Sequence, residues 1–174
     1  MIRDNCTPKA VFTKVQSGIV DDIDRALLRG LVRDGRSTWA ALGEQVGLSA
    51  PSVHDRVHKL EAAGAILGYA AQVAPAAVGA DTAALIALRT HGNAKERLRL
   101  EADLVREPAV LELHEVAGDD CYLAKVRVHS TAELAALLAR LREAYPGLTT
   151  RSSVVLRSVF ERPLLGEPKV QTPS

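Results

Sequence analysis

The hydrophobic positions of residues 20–64 repeat with a helical period in three short stretches. The first begins at Asp21, a candidate N-cap, and places its apolar side chains on one stripe, formed by Ile23, Leu27 and Leu31. The second follows a Ser/Thr cap and ends at Gly47, and the third begins at Ser49 and ends at Gly64. The pattern predicts three helices, the last two joined by a tight turn, which is the helix-turn-helix arrangement. The stretch that follows predicts a short strand and a connection, like the wing of a winged helix.

The period of the pattern changes near residue 80. A strand is expected in 82–90, followed by a helix with Ala94, Leu98, Ala102 and Val105 on one face. Two further strands flank a turn at Gly118-Asp119-Asp120. A second helix opens with a capping box, Ser130 to Glu133, and its apolar face comprises Leu134, Leu137, Leu138, Leu141 and Tyr145. With a last strand over 149–161, the order β-α-β-β-α-β predicts a ferredoxin-like unit.

The first and last strands of this unit read as apolar on both faces, at 83–88 and at 154–156. Two helices cover only one face of such a sheet, so the other face requires a partner. A second copy of the same sheet is the simplest partner, and we therefore expect a homodimer through this unit.

These patterns predict an α+β chain of two folded parts. The expected division is a flexible arm over 1–18, a winged helix-turn-helix over 19–66, and a wing strand and connection over 67–80. A ferredoxin-like domain then fills 81–162, and a tail fills 163–174.

Composition narrows the function classes. Aromatic residues make up only 3% of the chain, which argues against a carbohydrate groove or a platform that stacks single-stranded bases. The net charge is +1, so any cationic surface must come from local placement. Cys6 and Cys121 have no metal-type spacing, and neither a secretory signal nor an apolar run long enough to span a bilayer is evident. We expect a cytosolic protein with no metal and no cofactor.

The third predicted helix carries the first candidate site. Val53, Val57 and Leu60 define its buried side, and the opposite side is polar. In a helix-turn-helix protein this helix enters the major groove of double-stranded DNA. The candidate DNA-binding residues are therefore Ser49, Ser52, His54, Asp55, Arg56, His58 and Lys59. Among them, Arg56 and Lys59 are the candidate phosphate contacts.

Plainer interpretations of the same helix stay open. The polar side is also what any solvated amphipathic helix presents. Asp55 repels phosphate, so it either accepts from a cytosine amino group or pairs with Lys59 one turn on. Arg56 lies on the flank and has a structural alternative, pairing with Asp55 or Glu61.

The turn at Gly118 is the second candidate site. Glycine permits a tight backbone with exposed N–H groups, which can take a carboxylate. Asp119 or Asp120 could take an ammonium, so the turn could hold an amino acid by both charged ends. An ordinary Gly-Asp hairpin turn is the alternative. His114 and Glu112 share one side of a strand, but a pair without further ligands is weak evidence for a metal.

The ordered motifs resemble those of the Lrp/AsnC (feast/famine) transcriptional regulators over roughly residues 20–162. They comprise Asp21…Asp24, Gly35-Arg36, Leu48-Ser49, Arg56…Leu60-Glu61…Gly64…Ile66 and Gly118…Tyr122-Leu123. The resemblance implies a winged helix-turn-helix joined to a ligand domain that dimerises, often assembles into octamers, and binds amino acids or related metabolites. It places the effector region at the second candidate site, so the implied effector-binding residues are Gly118, Asp119, Asp120, Cys121, Tyr122 and Ser153.

The resemblance therefore predicts a sequence-specific DNA-binding transcriptional regulator, not an enzyme, that responds to an amino-acid-like effector. The alternative is an enzyme similar to the siroheme decarboxylases, which have the same two-domain pattern. Such an enzyme needs basic residues for tetrapyrrole carboxylates, whereas the turn at 118–122 is acidic. A third alternative is a ligand or protein-interaction module whose helix-turn-helix is vestigial, because residues 21–64 carry six basic and seven acidic residues.

Overall fold

The computed structural model describes residues 20–161, 164–166 and 169–170. The described residues divide into two compact units, of which the first takes 20–71 and those from 159 onward, and the second takes 72–158. The predicted arm over 1–18 lies outside the described residues, as does most of the predicted tail. The predicted domain limits stay predictions.

The first unit contains the three expected helices: α1 (Asp22–Arg33), α2 (Trp39–Val46) and α3 (Ala50–Ala62). Each begins at a capping residue, respectively Asp21, Thr38 and Ser49, whose side chain accepts a hydrogen bond from a backbone N–H of the first turn. The three helices close over a buried cluster of Leu27, Leu31, Leu42, Val53 and Val57. The predicted helix-turn-helix is therefore present.

A close approach of backbone fixes the turn between α2 and α3. Gly47 ends α2 with φ of 72°, a conformation that favours glycine. The Leu48 N–H donates to the Gly43 carbonyl at 3.0 Å, and a side chain at Gly43 would collide with the Leu48 carbonyl oxygen. Glycine at 43 therefore allows α3 to start directly beside α2.

The prediction of a wing strand after Gly64 is wrong. Residues 67–74 form no strand, and a short 3₁₀ turn follows at Pro75–Val78. A strand needs a neighbour for its backbone hydrogen bonds. The part of this unit that the structure describes supplies only one strand pair, β5 (Phe160–Glu161) with β6 (Lys169–Val170).

The second unit is a four-stranded sheet with two helices. Its elements are β1 (Thr82–Thr90), α4 (Ala94–Arg106), β2 (Val110–Glu115), β3 (Tyr122–Val128), α5 (Thr131–Ala144) and β4 (Leu148–Val154). The strand order is β2-β3-β1-β4, and all neighbours are antiparallel. This is the expected ferredoxin-like topology, and it confirms the α+β fold.

Helix α4 packs with a different face from the one expected. Leu100 and Leu104 are buried, whereas Leu98 and Val105 are 65% and 59% exposed. The apolar residues of α4 lie on two sides, so the pattern alone did not decide which side packs. The Tyr122 hydroxyl donates to Glu101 at 2.6 Å, which holds the Leu100 side of α4 toward the sheet.

Helix α5 packs as predicted, because its five expected apolar residues are all buried. The capping box is only half formed. Ser130 Oγ accepts from the Glu133 N–H, but the Glu133 carboxylate accepts from the His129 N–H. The last strand is also shorter than expected: β4 ends at Val154, and the strand pair β5–β6 reaches into the stretch predicted as a tail.

Candidate functional site

The exposed side of α3 presents polar side chains in the order that the sequence predicts. Val53, Val57 and Leu60 are buried, while the opposite side exposes Ser52, His54, Asp55, His58 and Lys59. Ser49 forms the cap of the helix, and its Oγ lies 2.9 Å from Ser52 Oγ. The start of α3 is thus an ordered surface that can donate and accept hydrogen bonds.

Arg56 is held by α1. Its Nη1 donates to Asp21 Oδ2 and to Asp24 Oδ1, both at 2.8 Å. Asp24 is buried, so the guanidinium also partners an otherwise desolvated carboxylate. The hydrogen bond from the Asp24 N–H and the Arg56 guanidinium lower the pKa of Asp21, and the two carboxylates raise the pKa of Arg56. The structural alternative for Arg56 is therefore supported, but the expected partners, Asp55 and Glu61, are wrong.

Lys59 is the cation that this face leaves free. Within residues 20–161 no carboxylate lies at ion-pair distance from its ammonium group, so the expected pair with Asp55 does not form. Asp55 instead lies 3.2 Å from His54 Nδ1. Lys59 therefore remains able to approach a phosphate.

Aromatic rings and carboxylates surround the two histidines of α3. The Trp39 ring meets the His54 ring edge-on at 6.0 Å, and the His58 ring lies 5.8 Å from that of His54. Glu61 Oε2 lies 3.3 Å from His58 Nδ1.

The same Glu61 carboxylate accepts a 2.9 Å hydrogen bond from the Tyr69 hydroxyl. That bond and His58 lower the pKa of Glu61, while burial and Glu61 raise the pKa of Tyr69 to about 12. Sequence reasoning missed Trp39 and Tyr69 as neighbours of this face, because neither residue lies on α3.

The turn between β2 and β3 has the open backbone that the sequence predicts. Gly118 has φ of 143°, and a side chain there would meet no other atom, so the glycine serves backbone conformation. Beyond the turn, the Cys121 N–H donates to the Leu88 carbonyl at 2.9 Å and its Sγ lies against Thr90 O. Cys121 is thereby fixed by its backbone to the end of β1.

The two aspartates of the turn differ. Asp120 accepts a 2.7 Å hydrogen bond from Arg151 of β4, and its side chain is only 20% exposed. Asp119 is exposed, and no hydrogen bond or ion pair joins its carboxylate to the described part of the chain. Sequence reasoning missed Arg151, whose distance along the chain gave no signal of this contact.

Two of the implied effector residues lie apart from the turn's surface. Tyr122 is buried in the sheet core with its hydroxyl on Glu101, so its side chain points toward α4. Ser153 lies opposite Leu85 in the sheet register, exposed on the face that the helices leave open. Arg151 is on that same face, two residues away.

The face of the sheet opposite the helices, here called the open face, is partly apolar. Leu85 and Leu123 are 53% and 44% exposed there, and Ala83 and Ala87 lie beside them. Glu112 adds charge, lying 3.5 Å from Lys125 and 3.4 Å from His114. The open face is therefore less uniformly apolar than expected, because charged side chains of β2 and β3 share it.

The described residues offer neither a metal-type cluster nor a membrane-spanning helix. No group of three or more His, Cys, Asp or Glu side chains is arranged to hold a metal ion. None of the helices in the part of the chain that the structure covers is long and apolar enough to cross a membrane.

Family comparisons match both units. The AsnC-type helix-turn-helix domain matches residues 20–61, and the Lrp/AsnC ligand binding domain matches residues 83–165. The chain is 37% identical over 141 residues to HTH-type transcriptional regulator LrpA of Mycobacterium tuberculosis, covering 81% of this chain and 93% of that protein. It is 32% identical to the proline dehydrogenase transcriptional activator of Rhodobacter capsulatus, covering 83% and 95% respectively.

Solved structures agree. A feast or famine regulatory protein of M. tuberculosis complexed with L-methionine superposes with a TM-score of 0.74 at 36% identity, covering 81% of this chain and 95% of that one. AsnC of Escherichia coli superposes with a TM-score of 0.76 at 27% identity, covering 84% and 98%. With both of its units matched in order, this chain belongs to the Lrp/AsnC family of transcriptional regulators.

Proposed function

We propose that this protein is a sequence-specific DNA-binding transcriptional regulator that responds to an amino acid or a closely related small molecule. The observation that carries the proposal is the match of residues 20–61 to the AsnC-type helix-turn-helix, whose α3 exposes a capped, polar face. The match of residues 83–165 to a ligand-binding domain supports the second half of the proposal.

The DNA contacts divide by chemistry. Ser52, His54, Asp55 and His58 are exposed on α3 and carry groups that can donate to or accept from base edges. Lys59 approaches a phosphate, because its ammonium is free of carboxylates within residues 20–161. Ser49 caps the helix, and Arg56 stabilises the fold through α1 and contributes little to phosphate binding.

The effector binds at the turn between β2 and β3. The exposed Asp119 carboxylate takes the ammonium, and backbone N–H groups near Gly118 take the carboxylate. Arg151, which Asp120 positions, adds a cation beside the turn, and Ser153 is a secondary candidate two residues along β4 on the open face. The L-methionine complexes of two structural neighbours support an amino acid as the ligand class.

Assembly begins with a homodimer through the open face, because Leu85 and Leu123 expose apolar surface that a second sheet would cover. Dimers can then assemble further, into an octamer, with the effector shifting the assembly or its DNA affinity.

Under this proposal the protein is a regulator and has no enzymatic activity. It acts in the cytosol, the compartment in which it meets DNA. The names of the relatives support a regulator over a siroheme-decarboxylase-like activity. An absorbance scan after addition of siroheme to the protein tests this point. The visible spectrum of siroheme should stay unchanged, whereas a shift would show that the protein binds the tetrapyrrole.

A thermal-shift screen of the full chain against the standard amino acids tests the effector half. A ligand that binds only the native state raises the unfolding temperature by mass action. The proposal expects one or a few amino acids to raise it in the unmodified protein and not in the Asp119→Asn variant. No shift with any amino acid would contradict it.

A further inference from the structure

Two histidines stand one helical turn apart on the exposed side of α3. His54 and His58 occupy positions i and i+4, and their ring centroids are 5.8 Å apart. Their side chains are 55% and 75% exposed, so both rings can reorient toward a common point in solvent. Two histidines at this spacing on one helix face are also the pair that binds zinc in metalloprotease helices.

Each imidazole has a carboxylate on the same ring atom. His54 Nδ1 lies 3.2 Å from Asp55 Oδ1, and His58 Nδ1 lies 3.3 Å from Glu61 Oε2. A carboxylate only accepts, so each neutral ring carries its proton on Nδ1 and keeps a lone pair on Nε2. Histidine ligands in metal sites are held in this way, with the second ring nitrogen donating to a carboxylate.

From this geometry we infer that His54 and His58 chelate a divalent transition metal ion, such as Zn²⁺ or Cu²⁺, through their Nε2 atoms. Imidazole nitrogens suit these ions. The protein supplies two ligands, since no set of three converges among the residues described, and water completes the coordination. The ion is therefore held more weakly than in a structural zinc site and exchanges with the medium.

The site coincides with the proposed DNA-reading face, so a bound ion alters the charge and hydration of that face. The chelation itself does not depend on the proposed function. Its test uses no DNA and no amino acid, so a failure of the metal inference can be distinguished from a failure of the proposed function.

Trp39 provides a local reporter. It is the single tryptophan of the chain, and its ring lies 6.0 Å from that of His54. Cu²⁺ bound at Nε2 of His54 quenches tryptophan emission at this short range, whereas filled-shell Zn²⁺ does not and competes for the same ligands.

The experiment titrates Cu²⁺ into the untagged full chain and follows Trp39 emission. The inference expects saturable quenching that EDTA reverses and Zn²⁺ displaces. In His54→Gln and in His58→Ala the saturable quenching should be lost. In Asp55→Asn the apparent affinity should fall by about tenfold or more, since removal of a carboxylate partner of a ligand has effects of that order.

His114→Ala is the matched control, because His114 also lies beside a carboxylate, Glu112, but has no second histidine one turn away. In this variant Cu²⁺ should quench Trp39 emission as it does in the unmodified protein. Circular dichroism confirms that each variant is folded. Absence of saturable quenching in the unmodified protein, or the same quenching in His58→Ala, would overturn the inference.

Discussion

At Arg56 a single guanidinium joins two helices, and this makes its role testable against that of Lys59 on the same helix. We expect Arg56→Ala to lower the thermal unfolding temperature, because it breaks both bonds to α1 and leaves the buried Asp24 without its cation. Lys59→Ala should leave that temperature unchanged and weaken DNA binding at low salt, with a shallower salt dependence. Thermal unfolding and fluorescence anisotropy measure the two effects. An unchanged unfolding temperature in Arg56→Ala would contradict the structural role.

The Asp21 carboxylate gives the fold a dependence on acid. Its pKa in the folded protein is below the ordinary value of 3.8, first because the Asp24 N–H donates to it and then because of Arg56. The resulting stabilisation is complete above 3.8 and is lost as pH falls through the folded-state pKa.

Unfolding temperatures of the unmodified protein and of Asp21→Asn, measured from neutral pH downward, test this effect. Asparagine also caps a helix, so the variant removes mainly the charge. The two curves should converge in acid. Curves that stay parallel throughout would contradict the account.

The two aspartates of the turn between β2 and β3, the proposed effector site, provide a matched pair. Asp119→Asn should weaken binding of the amino acid found in the thermal-shift screen by about ten- to a hundredfold, as expected for a lost charge-assisted hydrogen bond. Asp120→Asn should weaken binding less, because Asp120 already partners Arg151 and acts through it. Isothermal titration calorimetry measures both. A larger loss in Asp120→Asn would reverse the assigned roles.

At the scale of single elements, α4 distinguishes a packed from a solvated leucine. Leu104 is buried to 1% exposure, whereas Leu98 on the same helix is 65% exposed. Leu104→Ala should lower the free energy of unfolding by about 2–5 kcal/mol, and Leu98→Ala should change it by about 0.5 kcal/mol or less. Chemical denaturation of both variants decides which face packs. Equal losses would mean that the Leu98 side is also covered.

The elements show what local sequence determines. Helix starts could be predicted, since Asp21, Ser49 and Ser130 cap helices through their own side chains. The packed face of α4 could not be predicted, because it depends on where Tyr122 of β3 places its hydroxyl. The end of β4 and the missing wing strand depend likewise on which strands are available as neighbours.

The same distinction holds for the candidate sites. The polar side of α3 follows from its period, so most of its exposed residues could be predicted. The partners of Arg56 and Asp120 lie more than thirty residues away along the chain, and no local pattern pointed to them.

At the scale of the whole molecule, the open face predicts the assembly state. If the proposed dimer forms through this face, Leu85→Asp should convert it to a monomer, because the variant places a charge in the middle of the apolar part of that face. Leu98→Asp is the control, since Leu98 lies on α4 and not on the open face. Sedimentation velocity at micromolar protein gives both masses. A Leu85→Asp variant that remains dimeric would place the interface elsewhere.

The central claim is that an amino acid bound at the turn at Gly118 controls DNA binding by α3. The most direct measurement is the affinity of the full chain for a duplex selected from a random library, followed by fluorescence anisotropy while the effector amino acid is titrated. The account predicts tight, sequence-dependent binding whose dissociation constant shifts with the amino acid in the unmodified protein and stays constant in Asp119→Asn. An affinity that is the same for all duplexes, or that does not respond to any amino acid that raises the unfolding temperature, would contradict it.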